Sequence, residues 1–284
     1  MKTIEINNLE KSYGDFHLTI DNFSLESGTV MGLIGENGAG KTTLIKSILN
    51  LVKYKGDIKV FGNHMSKEIK EDIGVVFNEG FFTENLKIKE IEKIMASLYK
   101  KWDKDYFYKL IDEFRIPKDK KYKELSTGNK MKLKIINALS SHPKLLILDE
   151  PTSGLDPVIR DEILDIFFEF IKDENSSILF STHITSDLEK IADYISFISQ
   201  GKLIFSKNKD DLIYDYGILK TDSKSLSNYD NKYFLKIKEG KYNTDVLIKN
   251  KKDFSNKYKD ALLEKPSIDQ IMVFYERGKW WKLF

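Results

Sequence analysis

The sequence predicts an α/β fold with an antiparallel β subdomain, a helical subdomain and a small C-terminal α+β appendage. Three observations carry this prediction. Apolar runs of strand length, at residues 30–34, 73–77, 145–148 and 177–180, recur between segments whose apolar residues follow helical spacing. Residues 1–29 alternate apolar and polar side chains instead, as half-exposed antiparallel strands do. Past residue 206 the charge balance changes sign, from 29 basic against 32 acidic residues to 17 against 12, which marks a segment of different character.

Taken in order, Ile4 and Ile6, then Phe16, Leu18 and Ile20, then Phe23 and Leu25 give the alternating strands, with Tyr13 in a turn between two of them. Residues 30–51 follow, V-M-G-L-I-G-E-N-G-A-G-K-T-T-L-I-K-S-I-L-N-L. Gly35, Gly38, Gly40, Lys41 and Thr42 fill G-x-x-x-x-G-K-[ST] between a predicted strand and a predicted helix. Glycines there let backbone N–H groups close on phosphate, and the helix N-terminus adds its positive dipole end. Lys41 would reach the β- and γ-phosphates, and the Thr42 hydroxyl would bind Mg²⁺.

A hairpin strand is expected within residues 56–62, and a buried strand at 73–77 delivers Asn78 at its C-terminal end, the edge where open α/β sheets bind ligands. Residues 80–137 read as amphipathic helices carrying Phe81, Phe82, Trp102 and Phe107, mostly core with a possible docking surface for a partner. A Ser-Thr-Gly-Asn turn at 126–129 leads into a helix expected over 131–139. Residues 145–150, L-L-I-L-D-E, close a buried strand on Asp149 and Glu150 at its exposed edge. With the phosphate loop upstream, Asp149 fits the Mg²⁺ shell and Glu150 the group that polarises attacking water. A helix is expected at 158–171, and the strand at 177–180 ends at His183 on the same edge. In the appendage, strands are expected at 233–237 and 245–248 and a helix at 254–263, with a last helix capped by Ser267 and ended near Gly278. Trp280, Trp281, Leu283 and Phe284 at the chain end could touch a membrane surface or a partner, though packing on their own domain is commoner.

Composition bounds the function. At 284 residues with 41% hydrophobic content, the chain can hold a large core and a satellite. Its net charge of +2 gives no polyelectrolyte argument for nucleic acid or for a charged membrane surface. The absence of cysteine rules out a disulfide scaffold and fits a reducing cytoplasm. The first eight residues lack a signal-peptide core, and no run approaches the ~18 apolar residues that would span a bilayer. A membrane role would therefore come through a partner.

Over residues 1–206 the order and spacing of these motifs resemble the nucleotide-binding subunit of an ABC transporter. Residues 35–42 resemble its Walker A loop, including Asn37 and Ala39 and followed by Thr43; 145–149 resemble its Walker B strand and Glu150 its catalytic glutamate. Residues 153–156 resemble the D-loop ending in Asp156, His183 the switch histidine, and Tyr13 falls where the family stacks adenine. Residues 125–129 resemble the signature motif, with Ser126 and Gly128 kept at positions that contact γ-phosphate across a dimer, but with Thr127 and Asn129 as departures. Asn78 stands where the family carries glutamine, a departure that shortens the side chain by one methylene.

The resemblance implies a P-loop NTPase of ABC type, with an ATPase domain at 1–206, a helical subdomain near 79–138 and an accessory domain at 207–284. It further implies ATP and Mg²⁺ as ligands and a second ATPase subunit facing the first, as homodimer or heterodimer. A separate transmembrane permease would be the other partner, holding a cytoplasmic protein at the inner face of the membrane, with no nucleic-acid partner. The expected function is to power an exporter of peptides, lipids or antibiotics, with cytolytic peptides such as phenol-soluble modulins a narrower possibility. The alternative is a soluble ABC ATPase that regulates or senses without transport. Ribosome-acting members usually carry two P-loop domains and DNA-acting ones a long coiled-coil insertion, and this sequence has neither.

Overall fold

A computed structural model describes residues 1–78, 82–240 and 243–280. The strands are β1 (Lys2–Tyr13), β2 (Phe16–Glu26), β3 (Val30–Ile34), β4 (Lys55–Val60), β5 (Ile73–Val76), β6 (Leu145–Asp149), β7 (Ser177–Thr182), β8 (Tyr194–Ser199), β9 (Lys202–Asn208), β10 (Gly217–Thr221), β11 (Phe234–Glu239), β12 (Thr244–Ile248), β13 (Leu263–Glu264) and β14 (Lys279–Trp280). The helices are α1 (Lys41–Ile48), α2 (Lys67–Lys70), α3 (Ile88–Leu98), α4 (Lys104–Glu113), α5 (Thr127–Leu139), α6 (Pro157–Ile171), α7 (Thr185–Ile191), α8 (Lys209–Asp215), α9 (Lys251–Lys257) and α10 (Ile268–Arg277).

Nine strands form one mixed sheet in the order β4-β1-β2-β9-β8-β3-β7-β6-β5. Strands β8, β3, β7, β6 and β5 run parallel, so their C-terminal ends share one edge. Their apolar runs are buried on both faces: every residue of β3, β6 and β7 is buried, which is why they lack alternation. The other flank, β4-β1-β2, is antiparallel and alternates, with Ile4, Ile6, Leu18, Ile20 and Leu25 turned inward. A second sheet, β13-β10-β12-β11-β14, is antiparallel throughout.

The helices begin where side chains can cap them. Asp103 caps α4 through Tyr106 N at 2.8 Å, Asp156 caps α6 with Pro157 at its first position, and Ser267 caps α10 in a box with Gln270. The α10 helix joins the appendage to the large sheet. Ile268, Ile271, Met272 and Phe274 belong to the same buried cluster as Phe197 and Phe205, and Ile268 N donates to Glu189 Oε1 at 3.0 Å.

Several expectations are corrected. The strand at 55–60 forms no hairpin; it is the edge strand beside β1. Helix α5 starts at Thr127, so Thr127, Gly128 and Asn129 are its first turn and Ser126 its N-cap. The helix expected at 254–263 ends at Lys257, and Leu263 pairs with Leu219 instead. Gly278 does end α10 as expected, with φ −76° rather than the left-handed turn a C-cap glycine commonly supplies. The expectation that the aromatics of the helical segment are mostly core holds: Phe107 is fully buried, and Phe82, Tyr99 and Trp102 pack against it and its neighbours. Phe81, Trp281, Leu283 and Phe284 lie outside the described residues. No helix among the described residues is long and apolar enough to cross a membrane.

Candidate nucleotide site

The site sits where β3, β7 and β6 end side by side. After β3 the chain turns through residues 35–40 into α1, and the glycines there are steric necessities. A Cβ on Gly35 would lie 2.2 Å from Ile198 O, while Gly38 and Gly40 hold φ of 82° and 115°, the region that only glycine enters without strain. Gly40 also abuts Leu18 and Phe16, and Gly201 N donates to Ala39 O at 3.0 Å, so the loop is clamped between β2 and the β8–β9 turn. Asn37 and Gly38 are exposed at the loop tip, and Thr43 is half-buried in the first turn of α1.

Lys41 is buried and folds back into its own loop, its Nζ donating to Gly35 O at 2.7 Å and lying 3.4 Å from Glu36 O. It also lies 3.3 Å from Glu150 Oε1, an ion-pair contact without hydrogen-bond geometry. Thr42 Oγ1 donates to Asp149 Oδ2 at 2.8 Å, and Ser181 Oγ donates to Asp149 Oδ1 at 2.9 Å. Asp149 and Glu150 do stand at the strand end, but neither is exposed as expected: Asp149 is only 5% accessible, because β7 and α1 close over it. A hydroxyl and a carboxylate oxygen meeting there form a hard-oxygen pair that fits Mg²⁺, which takes one or two protein ligands and completes its shell with phosphate and water. Among the described residues no cluster of three or more His, Cys, Asp and Glu could hold a metal ion.

Glu150 takes a left-handed backbone, φ 54°, costly for a residue with a side chain. The bond from Glu150 N to Ser181 O at 2.9 Å holds it there and turns the carboxylate toward β7. His183 Nδ1 meets Glu150 Oε2 at 2.7 Å, with the ring itself half-exposed. Glu150 thus links Lys41 and His183, which lie far apart in sequence.

Four predicted residues stand further out. Tyr13 is at the end of β1, paired with Phe16 across the turn, half-exposed and covered by Lys11 Nζ 4.3 Å from its ring centre. Ser126 is exposed on α5, its hydroxyl capping Asn129 N at 3.3 Å. Gly128 is buried where a Cβ would strike Ile159 Cγ2 at 2.9 Å, so its small size lets α5 approach α6. Asp156 Oδ1 accepts from Val158 N and Ile159 N, both at 3.1 Å. None of these touches the Lys41–Glu150 cluster in the single chain.

Asn78 is exposed after β5, and the sequence reading missed what holds it. Lys134 Nζ, buried in α5, donates to Phe77 O at 3.0 Å and Asn78 O at 2.9 Å. Burial, with Lys130 nearby, pushes that ammonium below the usual lysine range. Asp187 was missed as well: fully buried on α7, it accepts from Thr152 Oγ1 at 2.7 Å and Arg160 Nε at 2.5 Å, locking the turn after Glu150 to the helix after His183. A lone acid four residues past a histidine gives no sequence signal of such a role.

The ABC transporter family model matches residues 18–153. The lantibiotic transport ATP-binding protein SrtF of Streptococcus pyogenes is 37% identical over 73% of this chain and 91% of its own. The chain belongs to the ABC transporter family. This ABC protein is also 34% identical to the bacitracin transport ATP-binding protein BcrA of Bacillus licheniformis, over 71% of this chain and 68% of that one. A solved ATP-binding subunit of an ABC transporter superposes with TM-score 0.67 at 28% identity, over 74% of this chain and 91% of that one. As a member of this family the protein is an ATP-binding, ATP-hydrolysing subunit of a transporter, a role that implies a transmembrane partner. The P-loop fold anticipated from the motif order is the fold observed.

Proposed function

We propose that this chain drives an exporter: two ATPase subunits close head to tail on two ATP molecules while bound to a separate permease at the inner face of the membrane. The observation that carries the reading is the convergence of Lys41, Glu150 and His183 on one sheet edge, with Glu150 2.7 Å from His183 and 3.3 Å from Lys41. Lys41 exchanges the Gly35 and Glu36 carbonyls for the β- and γ-phosphates, and the backbone N–H groups of residues 38–43 turn toward the same oxygens. Tyr13 offers a ring to the adenine. Thr42, Asp149 and Asn78 would hold Mg²⁺, which neutralises developing phosphate charge when bound. Glu150 orients water and takes its proton as the oxygen attacks the γ-phosphorus, and His183 holds that carboxylate in line. ADP and phosphate leave.

Ser126, Gly128 and Asp156 stand apart from this cluster, which fits roles across a dimer interface, where the partner's signature helix closes over the nucleotide. Ile94 and Leu98, one turn apart on α3, remain exposed and suit contact with a permease. The names of SrtF and BcrA favour an amphipathic peptide or peptide antibiotic as cargo over other classes.

The test uses purified protein and its Glu150→Gln variant. The variant should retain ATP binding, lose about 10²-fold or more in turnover, and accumulate as an ATP-dependent dimer by light scattering. Near-normal turnover would remove Glu150 from its role, and ATP-independent monomers would remove the sandwich. Gentle solubilisation of native membranes should co-purify a multi-span protein in stoichiometric amount; a soluble fraction with ribosomal or chromosomal partners alone would refute the transporter assignment.

A further inference from the structure

The appendage is fastened to the ATPase domain at both ends of α10. At its start, Ile268 N donates to Glu189 Oε1 at 3.0 Å, and Ile268 and Ile271 share one buried cluster with Leu188 and Ile191 of α7. Leu188 in turn lies on β3, where a Cβ on Gly32 would meet its Cδ1 at 2.7 Å. At its end, Tyr275 sets its ring 5.1 Å from that of Phe205 and 6.2 Å from that of Phe197, two residues that face each other across the β8–β9 pair. The rest of Tyr275 is tied to the appendage: Lys236 Nζ of β11 donates to its carbonyl at 3.4 Å, and the Tyr216 hydroxyl lies 3.5 Å from its own. Successive strand residues point to opposite faces, so while Phe197 turns to α10, Ile198 joins the cluster of Ala39 and Leu44 on the other side. Between these two the register slips by one residue, Phe197 facing Phe205 and Ile198 facing Leu203, a bulge that re-aims the hairpin tip. That tip closes on the phosphate loop directly. Ile198 O fills the space beside Gly35, and Gly201 N donates to Ala39 O at 3.0 Å.

We propose that Tyr275 is a positioning residue of the ATPase site: through Phe197 and Phe205 it holds the β8–β9 hairpin against the phosphate loop, so that the appendage pre-orders that loop for nucleotide. This rests on the nucleotide-site reading above. With ten residues, α10 is a stiff rod about 15 Å long. It reaches from α7, packed on β3, to the hairpin whose first strand pairs beside β3, and the end of β3 launches residues 35–40. A loop braced from behind loses little conformational entropy when its N–H groups take up phosphate, whereas a loop with loosened backing loses more and binds more weakly. The effect falls on affinity rather than on chemistry. Glu150 takes its position from Ser181 O on β7 and meets His183, and β7 lies on the opposite side of β3 from the hairpin. Turnover at saturating ATP is therefore set apart from the brace.

The test compares the full chain with Tyr275→Ala, Tyr275→Phe and Val246→Ala, the last of which hollows the appendage's separate core at a fully buried site. Tyr275→Ala should raise the Kd for Mg-ATP about fivefold while kcat stays within about twofold of wild type. Amide hydrogen exchange without nucleotide should quicken at Gly201 and across residues 35–40 in the same variant. Tyr275→Phe, which keeps the ring, should restore wild-type values. Val246→Ala should lower the melting temperature and leave Kd and both exchange rates unchanged. If Tyr275→Ala does not fold, Tyr275→Leu carries the same test with a rise of about twofold in Kd. An unchanged Kd in the folded variant, a raised Kd without faster exchange at Gly201, or an equal loss in Val246→Ala would overturn the inference while leaving the nucleotide site intact. A wild-type protein that binds no Mg-ATP would remove the nucleotide site and this inference together.

Discussion

Replacing Asp187 with alanine should cost the protein about 3 kcal/mol. Asp187 has no exposed surface and accepts two charge-strength bonds, from Thr152 Oγ1 at 2.7 Å and Arg160 Nε at 2.5 Å. Hydrogen bonds to charged groups contribute roughly 1.5–3 kcal/mol each, and stripping one partner from a buried pair typically costs 3–5 kcal/mol. The lower end applies here, because Arg160 is 26% exposed and can turn toward water and Ser186, while the fully buried Thr152 hydroxyl cannot. Urea unfolding measures the loss as a lower midpoint at unchanged slope. A double-mutant cycle with Arg160→Ala should return a coupling of about 1–2 kcal/mol. Because the same bonds tie the turn after Glu150 to α7, ATP turnover per folded molecule should also fall. A loss under about 0.5 kcal/mol, within the range of ordinary surface substitutions, would refute the assignment of Asp187 as a buried tie.

Lys134→Met should separate position from stability: unfolding free energy should change by about 1 kcal/mol at most, because the cost of burying an ammonium disappears along with its bonds. ATP turnover should still fall about tenfold, the equivalent of ~1.4 kcal/mol, as the segment bearing Asn78 loses its anchor; unchanged turnover would show that Lys134 only packs. Burial pushes the Glu276 carboxyl up to about 7, which predicts the pH dependence of stability without nucleotide. Its folded value, about 7, exceeds the ordinary 4.5, so the native state binds the proton more tightly, and the stability this confers is present below pH 4.5 and lost as pH rises through 7. Melting temperature should therefore decline between pH 5 and pH 8 more steeply in wild type than in Glu276→Gln, and parallel profiles would contradict it.

Much of the site could be read from the chain because its chemistry is packed into contiguous motifs. Residues 35–42 need glycines for backbone approach and a lysine for phosphate, and no ordinary turn asks for both. The strand ending in Asp149 and Glu150 was legible because two carboxylates break an apolar run. What stayed hidden depends on tertiary context. Lys134 sits in K-M-K-L-K-I-I, where every second residue is a lysine and nothing separates the buried Lys132 and Lys134 from Lys130. Leu263 lies nine residues after Phe254, a spacing that extends a helix on paper; pairing with β10 claimed it as strand. Strands β8 and β9 were not anticipated, although their hairpin is what holds the phosphate loop from behind.

The position of β7 has a consequence for biogenesis. In the sheet it lies between β3, which launches Lys41, and β6, which presents Glu150. Synthesis makes it last of the three. Until residue 182 has left the ribosome, the strands bearing those two side chains are kept apart by a missing strand, a span of about 10 Å at sheet spacing, and Glu150 N lacks the Ser181 carbonyl that fixes its turn. ATP can therefore give no ligand stabilisation to the emerging chain, since such stabilisation requires a state that binds. Intercalation of a late strand into the middle of a parallel sheet is the step that vectorial synthesis leaves unassisted.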